Sequence, residues 1–372
     1  MRKATTTIAD VARKANVSTA TAGRVLGNYG YASETVRKKV QKAARELGYR
    51  PNHLARSLIR GETRTIGVVV GDIQSPFYAR IIRGISDVAR ASDMGLIITN
   101  SDEATDLEEQ SVELLMDKKV DGMIVSPCDT INAAHLRAAH EAGIPMVLID
   151  RRVKGLEVDS ISLDSVGSAR AGVGDLLRAG HRRIALVAEL AGTGGMTIER
   201  IMSSSPPGPP DINYHYPSWQ RLLGYLLAHH DAGIAPQSDL ICQVKSYSSK
   251  VAAKKAVEIL RSDTPPTALF TADGVMSAGV MAAVKEVGAR IPDDISLLCF
   301  DDMDWMEFMV PGIDAISQPR KQMGQMAARL LMERIADPTS EPRVLDLVPR
   351  HVERGSIRQI LTTKGVNGGP DA

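Results

Sequence analysis

The opening of the chain contains two short helical patterns separated by a tight turn, and this arrangement limits what the first domain can be. Thr7 is placed to cap the first helix, and Asp10 at its third position approximates a capping box. Apolar residues at helical spacing give this helix one buried face: Ile8, Val11, Ala12 and Ala15. Asn16 and Val17 form the turn, so the pattern predicts a helix-turn-helix.

The second helix is predicted to begin after Ser18, whose hydroxyl can cap it. Three of its positions point inward: Ala22, Val25 and Leu26. In a helix-turn-helix the early residues of the second helix meet base edges in the major groove. The residues of this unit that we expect to contact DNA are Thr7, Ser18, Thr19, Ala20, Thr21 and Arg24.

The charge distribution supports a nucleic-acid partner. Residues 1–60 contain thirteen Lys or Arg and three Asp or Glu, a net charge of +10, whereas the whole chain carries +1. The remainder therefore sums to −9. A basic block of this kind is what neutralisation of DNA phosphates requires. A solvated helical surface is the alternative for a charge run without other features.

A third helix is predicted after Ser33, and Gly48 is placed to end it. Its inward positions are Val36, Val40, Ala44 and Leu47. Residues 49–61 follow as a segment that could be helical but is too short to be stable alone. We therefore predict an all-α DNA-binding domain at residues 1–50, followed by a hinge and linker at residues 51–63.

The hinge has the pattern Tyr-x-Pro-Asn-x-x-Ala-x-x-Leu, and here the chain resembles the lactose/galactose repressor family of bacterial transcriptional regulators. The residues that carry this pattern are Tyr49, Pro51, Asn52, Ala55 and Leu58. The resemblance implies a hinge helix that folds only on DNA, pairs with its two-fold mate and wedges Leu58 between base pairs. It adds Tyr49, Asn52, Ala55 and Leu58 to the expected DNA contacts. The alternative is a linker whose Leu58 packs on the next domain.

Beyond residue 62 the pattern changes to short apolar runs alternating with helical patterns, which predicts buried parallel strands covered by helices. The runs are Ile66–Val70, Leu96–Thr99, Met123–Val125, Met146–Ile149, Ile184–Val187, Ala268–Phe270 and Leu297–Phe300. Roughly 300 residues exceed one typical domain, so two α/β lobes are expected.

The family resemblance continues through this region and covers residues 5 to about 356. The matching segments are Asp72–Tyr78, Gly84–Ile85, Val120–Gly122, Gly143–Pro145, Gly180–Ile184, Arg221–Tyr225, Pro266–Ala268, Ile291–Asp293 and Phe300–Asp302. It implies a periplasmic-binding-protein-like body at residues 64–356, formed by two Rossmann-like lobes and serving effector binding and dimerisation. The chain would cross between lobes near Asp164, Ser317 and Leu345, and residues 357–372 would form a flexible tail.

Candidate effector-binding residues follow from the rule that ligands of such sheets lie beyond the carboxyl ends of the strands. Ser75, Ser126, Asp150 and Asp301 each follow a strand-like run. The resemblance adds Arg221, Tyr247 and Gln318. An Arg fork and carboxylates can hold the hydroxyls of a polyol while a ring covers a flat sugar face. Helix capping or a salt bridge between lobes is the alternative role for any one of them.

Several positions depart from the family pattern. Gly23 and Gly27 stand where relatives usually have Ser and Asn, and Ala272 stands where many have Asn. The segment 192–219 is longer than expected, and its Ser- and Pro-rich part predicts that residues 202–218 form a surface loop at the cleft rim. Because Thr197–Ile201 also resembles the Arg221 motif, Arg200 stays open as the ligand-binding arginine.

The remaining features are less specific. Cys128, Cys242 and Cys299 show no paired spacing and are expected to be reduced core residues. His229 and His230 are expected on a helix surface. We predict no metal, no cofactor and no enzymatic activity. The start Met-Arg-Lys leads directly into the first helix without a signal peptide, so a cytoplasmic location is expected.

These observations predict a regulator that binds a palindromic operator as a homodimer and changes its DNA affinity when a sugar-like molecule occupies the cleft. The C-terminal residues carry no leucine heptad, so a dimer is the default assembly. The alternative is a small-molecule (carbohydrate) binding or processing protein whose N-terminal helices serve assembly. The patterns do not distinguish inducer from corepressor.

Overall fold

The computed structural model describes residues 6–27, 29–49, 62–191, 195–204 and 208–360. Contacts divide the chain into two units, Met1–Arg64 and Thr65–Ala372. The expected hinge contacts Asn52, Ala55 and Leu58 lie outside the described residues.

The first unit contains three helices around a small apolar core. They are α1 (Ile8–Ala15), α2 (Thr19–Gly27) and α3 (Glu34–Glu46). Thr7 and Asp10 form the predicted capping box, and Ser33 caps α3 by accepting a hydrogen bond from the Val36 amide. The core residues are Val11, Ala12, Ala15, Ala22, Val25, Val40, Ala43 and Ala44. These features confirm the predicted helix-turn-helix and third helix.

The second unit contains two lobes, each built on a six-stranded sheet. The first lobe has the strand order β11-β5-β4-β3-β1-β2, and every pair in it is parallel. Its strands are β1 (Thr65–Val70), β2 (Gly95–Asn100), β3 (Gly122–Val125), β4 (Met146–Ile149), β5 (Asp159–Leu163) and β11 (Val344–Leu347). Its helices are α4 (Pro76–Ala91), α5 (Thr105–Asp117), α6 (Ala134–Glu141) and α12 (Arg320–Ala336).

The second lobe repeats this plan with the order β12-β10-β9-β8-β6-β7, in which only the edge strand β12 is antiparallel. Its strands are β6 (Ile184–Ala188), β7 (Ile241–Gln243), β8 (Ala268–Thr271), β9 (Ser296–Phe300), β10 (Asp314–Ser317) and β12 (Arg350–Val352). Its helices are α7 (Ser165–Arg178), α8 (Ile198–Ser203), α9 (Pro217–Asp231), α10 (Ser249–Leu260) and α11 (Gly274–Val287).

The chain passes between the lobes three times: from β5 through Asp164 into α7, from β10 into α12, and from β11 into β12. Two glycines hold α12 tightly against α4 of the first lobe. A Cβ on Gly84 would lie 2.1 Å from the Lys321 carbonyl oxygen, and a Cβ on Gly324 would lie 2.0 Å from that of Ile81. The helix that follows the second passage is therefore fixed to the first lobe by backbone packing. The two-lobed α/β architecture predicted for this region is confirmed.

The prediction of a surface loop at residues 202–218 is wrong for its second half. Ile212 lies in the apolar core of the second lobe together with Met196 and Ile201, and His215 is buried. Pro217 begins α9, as proline often begins a helix. Apolar residues on both sides of the Pro-rich stretch thus anchor this segment, an effect that its composition did not reveal.

Two further expectations need correction. His229 is buried rather than on the helix surface, and its Nδ1 lies 2.8 Å from the Tyr225 carbonyl oxygen one turn earlier. Residues 357–360, expected to begin a flexible tail, pack on the second lobe: Ile357 contacts its core and the Ile360 amide donates to the Ala179 carbonyl. Among the helices of the described residues, none is both long and apolar enough to cross a membrane.

Candidate DNA interface and effector cleft

The exposed side of α2 carries a short chain of hydrogen bonds that orients Arg24. The Ser18 hydroxyl accepts from the Thr21 amide at 3.1 Å and lies 2.9 Å from the Thr21 hydroxyl. The Arg24 guanidinium donates to the same Thr21 hydroxyl at 3.3 Å. Thr19, Ala20 and Arg24 are exposed. The structure therefore presents a guanidinium fork on the face from which a helix-turn-helix reads bases.

Tyr29 is a candidate DNA contact that sequence reasoning missed. Its side chain is 55% exposed, and its amide donates to the Arg24 carbonyl. A Cβ on Gly27 would lie 2.5 Å from the Tyr29 ring, and one on Gly23 would lie 3.5 Å from its hydroxyl. Gly27, which departs from the family pattern, thus makes room for an exposed aromatic side chain, whereas a Cβ at Gly23 would meet the Tyr29 hydroxyl at an ordinary contact distance. Tyrosine hydroxyls are common partners of DNA phosphates.

The two predicted contacts at the ends of this unit have other roles in the structure. The Thr7 hydroxyl donates to the Asp10 carboxylate at 2.7 Å, so it is engaged as a helix cap. Tyr49 is half-buried and packs against the three-helix core.

A cavity of about 540 Å³ lies in the second unit between its lobes. Six of the seven predicted effector residues line it: Ser75, Asp150, Arg221, Tyr247, Asp301 and Gln318. Each of the strands β4, β8, β9 and β10 is followed, within its next two residues, by at least one residue of the lining, as expected for ligand sites beyond the carboxyl ends of strands. Ser75 also caps α4, since its hydroxyl accepts from the Phe77 amide.

Ser126 is the predicted residue that the structure does not place on the cavity wall. It is 1% exposed, and its hydroxyl lies 2.9 Å from that of Tyr78, which itself lines the cavity. Ser126 follows β3 as predicted, and its hydroxyl forms a hydrogen bond with that of Tyr78 on α4. The structure therefore shows Ser126 as a support for Tyr78, and its direct contact with an effector stays a prediction.

Arg151 and Glu103 form the main ion pair of the first lobe's wall. The Arg151 guanidinium donates to both Glu103 carboxylate oxygens, at 2.5 and 3.1 Å, and to the Pro127 carbonyl at 3.0 Å. It also lies 4.3 Å from the centre of the Tyr216 ring, which belongs to the second lobe. Sequence reasoning missed this pair, although Arg151 directly follows the predicted Asp150.

The second lobe's wall is organised around Asp301. Its carboxylate accepts a hydrogen bond from the Gln318 amide group and another from the Gly274 amide at 3.2 Å. The Arg221 guanidinium donates to the Ala272 carbonyl and lies 3.8 Å from the centre of the Phe300 ring. Arg200 is away from this wall and pairs with Asp211 at 3.1 Å. The geometry thus places Arg221, and not Arg200, at the cavity.

Asp273, which the sequence reading did not select, is a further wall residue. One of its oxygens caps α11 by accepting from the amides of Val275 and Met276, at 2.8 and 2.9 Å. Burial raises the pKa of Asp273 to about 6, and it has the same effect on Asp150 in the opposite lobe. Asp150 and Asp301 also adopt left-handed backbone conformations, with φ of 71° and 75°. Such conformations are unusual outside glycine and are often found at binding sites.

Three sequence families match successive parts of the chain. Residues 7–52 match the bacterial regulatory proteins of the lacI family. Residues 63–202 match the periplasmic binding proteins and sugar binding domain of the LacI family, and residues 173–357 match a periplasmic binding protein-like domain.

Two curated relatives cover almost the whole length of the chain. The transcriptional repressor CytR of Escherichia coli K12 is 32% identical over 330 residues, which span 88% of this chain and 89% of CytR. The transcriptional repressor PurR of Vibrio atlanticus is 29% identical over 354 residues, which span 95% of this chain and 99% of PurR.

Solved structures show the same architecture. The regulator CelR in complex with cellobiose has a TM-score of 0.66 and 26% identity, covering 94% of this chain and 99% of CelR. A regulator from Enterococcus faecium with bound ribose has a TM-score of 0.65 and 26% identity, covering 80% and 100%. The operator-bound lac repressor dimer has a TM-score of 0.79 at 23% identity, covering 95% and 100%, a likeness of fold.

Proposed function

The chain belongs to the LacI family of bacterial regulatory proteins, and we propose that it is a transcriptional repressor whose DNA affinity is set by a small molecule in the cleft. The observation that carries the DNA half of this proposal is the exposed face of α2. There a guanidinium held by the Thr21 hydroxyl stands beside Thr19 and Ala20, within a strongly basic N-terminal region. Such a face can read a guanine edge through two hydrogen bonds.

The protein is proposed to bind a palindromic operator as a homodimer. A single helix-turn-helix covers only one half-site, and two-fold related copies provide the second. Exposed apolar side chains on the second lobe, Phe308 at 76% and Val310 at 97%, are a candidate part of the dimer contact. The proposed hinge contacts Asn52, Ala55 and Leu58 would lie at the operator centre.

The cleft is proposed to bind a polyhydroxylated, sugar-like effector. Arg221 and the surrounding carboxylates can hold hydroxyl groups, and Tyr247 at the rim can cover an apolar ring face. Effector and operator are coupled by linkage: a ligand that fits one lobe arrangement better must shift DNA affinity by its differential binding, typically about 1 to 3 kcal/mol. The expected site of action is the cytoplasm, at the nucleoid, without catalysis.

Selection of duplexes from a random library, followed by footprinting, tests the DNA half. A protected palindrome of two half-sites is expected. A small-molecule binding or carbohydrate-processing protein, whose N-terminal helices serve assembly, would enrich no palindrome. Thermal-shift screening against sugars and polyols, with operator titrations in the presence of each hit, tests the effector half. A hit that leaves operator affinity unchanged would contradict the proposed coupling.

A further inference from the structure

The charges on the cleft wall are unbalanced. Six carboxylate side chains line the cavity, namely Asp72, Asp102, Glu103, Asp150, Asp273 and Asp301. Two arginines, Arg151 and Arg221, line it as well. Because Arg151 is held by both oxygens of Glu103, that pair contributes no net charge. Arg151 Nε also lies 3.7 Å from Asp150 Oδ2, so Arg151 is shared between two carboxylates, and Arg221 is the other arginine of this wall to oppose Asp150, Asp273 and Asp301.

The wall also contains hydrogen-bond acceptors that have no donor partner in the described part of the protein. Among the described residues, the acceptors Asp273 Oδ2 and Gln318 Oε1 are buried and have no hydrogen-bond partner, and the same holds for two donors of this wall, Arg151 Nε and Arg221 Nε, which hydroxyl oxygens of a ligand can fill. Asp273 is 6% exposed and Gln318 is 5% exposed, and both face the cavity. They flank Asp301, whose two oxygens already accept from Gln318 and Gly274. A buried acceptor without a partner lowers the stability of the folded protein. A bound ligand is therefore expected to bring hydrogen-bond donors to Asp273 Oδ2 and Gln318 Oε1.

The type of donor follows from the charge. A phosphate or carboxylate would bring further oxygens and negative charge against three wall carboxylates. A hydroxyl can donate one hydrogen bond to Asp273, whereas an ammonium group donates up to three and also compensates the charge. Hydrogen bonds between charged partners are roughly twice as strong as neutral ones. Burial raises the pKa of Asp150 and of Asp273, so a bound ammonium group would lower the cost of keeping these buried carboxylates ionised.

We propose that the effector is an amine-bearing polyol, such as an amino sugar or an aminocyclitol, whose ammonium group binds Asp273 while a neighbouring hydroxyl donates to Gln318. This inference rests on the proposed function, since it names the chemistry of the effector that the cleft takes. It makes Asp273 the residue that determines the charge class of the ligand. Acidic and phosphorylated sugars are expected to bind more weakly than the amine, because they place further negative charge against Asp150, Asp273 and Asp301.

Calorimetric titration of the full-length protein at pH 7 with matched compounds tests the proposal. The first series is glucosamine, glucose, glucuronate and glucose 6-phosphate; the second is galactosamine, galactose and galacturonate; the third is streptamine and scyllo-inositol. In at least one series the amine is expected to bind at least about tenfold more tightly than its neutral parent. Tightest binding by an anion, equal binding by amine and parent, or no binding by any amine at millimolar concentration would each overturn the proposal.

The variant Asp273→Asn distinguishes recognition of the ligand's charge from a structural role of Asp273. The Asn oxygen can still accept from Val275 and Met276 and cap α11, so the fold is retained. The variant is expected to weaken binding of the amine at least about tenfold more than binding of the neutral parent, so that the preference for the amine is lost. Equal weakening of both ligands would assign Asp273 a structural role and contradict the proposal. Glu286→Gln removes the same charge from an exposed pair with Arg261 and serves as the control.

Measuring operator binding with the same protein preparations distinguishes failure of the proposed regulator function from failure of the proposed amine effector. A protein that selects an operator but prefers neutral or anionic ligands retains the proposed function and refutes the amine. If the protein prefers amines but selects no operator, the assignment of the cleft as an amine site stands and the proposed regulator function is contradicted.

Discussion

The Arg24 guanidinium and the Thr21 hydroxyl form a 3.3 Å hydrogen bond on the exposed face of α2. Since the Thr21 hydroxyl also lies 2.9 Å from that of Ser18, the arginine proposed to read bases is linked to the residue that caps the same helix. This arrangement reduces the conformational freedom that Arg24 would lose on binding DNA.

Arg24→Ala is expected to weaken binding to the selected operator by about 1 to 3 kcal/mol, because a bidentate contact with a guanine edge is lost. Binding to a scrambled duplex should change little. Fluorescence anisotropy titrations on both duplexes measure the two affinities. Thr21→Val, which keeps the arginine but removes its partner, should give a smaller loss of the same kind. An equal loss on both duplexes would reduce Arg24 to a phosphate contact.

The glycines of α2 provide a matched pair for testing Tyr29. A Cβ at Gly23 meets its neighbours at ordinary distances of 3.5 and 3.7 Å, so Gly23→Ala should stabilise the helix by up to about 1 kcal/mol. A Cβ at Gly27 lies 2.5 Å from the Tyr29 ring, so Gly27→Ala must displace that ring. Thermal unfolding measures the stability of both glycine variants, and operator titration measures their DNA affinity. Of the two variants, Gly27→Ala is the one expected to bind the operator more weakly. Full affinity in Gly27→Ala and in Tyr29→Ala would remove Tyr29 from the interface.

Apolar runs predicted seven strands of the two sheets, and the structure confirms all of them, but other strands were not recognised. β5 and β10 contain buried polar residues, so neither forms an apolar run. Asp159 in β5 is held by Arg334 at 2.9 Å, and Asp314 in β10 accepts from the Ser356 hydroxyl at 2.8 Å. In both cases the partner that makes burial possible lies far away in the sequence.

The cleft shows the same limit of prediction. Residues that directly follow a clearly apolar strand, such as Asp150 and Asp301, could be predicted as cavity residues from the sequence. Ser126 also directly follows a strand, but it is buried, and its hydroxyl forms a hydrogen bond with that of Tyr78 on a neighbouring helix. The roles of Asp273 and Arg151 depend on which hydrogen bonds their neighbours already fill, and a linear pattern does not contain that information.

Asp150→Asn should stabilise the ligand-free protein at neutral pH. Burial raises the pKa of Asp150 from 3.8 to about 6, in the presence of Arg151, Arg221, Glu103 and Asp301. The folded state therefore binds more protons than the unfolded state between about pH 4 and 6, and stability falls as pH rises through this window. With about 1.4 kcal/mol per pKa unit, the variant should gain about 2 to 3 kcal/mol at pH 7.

Asparagine also tolerates the left-handed backbone at this position. Chemical denaturation from pH 4 to 8 measures the effect, which should vanish below about pH 4. Asp337→Asn, at an exposed position, is the control. A gain that persists at pH 4 would show that charge burial is not its cause.

Arg221 and Arg200 allow a direct test of which arginine binds the effector. Arg221 lines the cleft, whereas Arg200 pairs with Asp211 outside its wall. Arg221→Ala should weaken effector binding by about 1.5 to 3 kcal/mol, the usual contribution of a hydrogen bond to a charged group. Operator affinity without effector should be retained, and the regulatory response should be lost. Calorimetry in which Arg200→Ala is the more damaging change would reverse this assignment.

The segment 211–216 joins the two lobes beside the cleft. The Thr130 hydroxyl of the first lobe donates to the Tyr214 carbonyl at 2.6 Å, and the Tyr216 hydroxyl donates to the Cys128 carbonyl. Thr130→Val and Tyr216→Phe remove these bonds but keep side-chain volume, and the phenyl ring of the second variant can still cover Arg151. Each bond stabilises the arrangement in which the segment 211–216 contacts the first lobe, the closed arrangement, by about 0.5 to 1.5 kcal/mol.

If closed lobes are the form that holds the effector, apparent affinity falls with the closed fraction, by about two- to tenfold for each variant. Small-angle scattering of the ligand-free variants should show a larger radius of gyration, and calorimetry should show the weaker binding. Ser203→Ala removes a hydroxyl of α8 that donates to a carbonyl within its own lobe, so it should change neither quantity. A double variant with unchanged scattering and affinity would mean that the segment 211–216 packs against the first lobe without biasing closure.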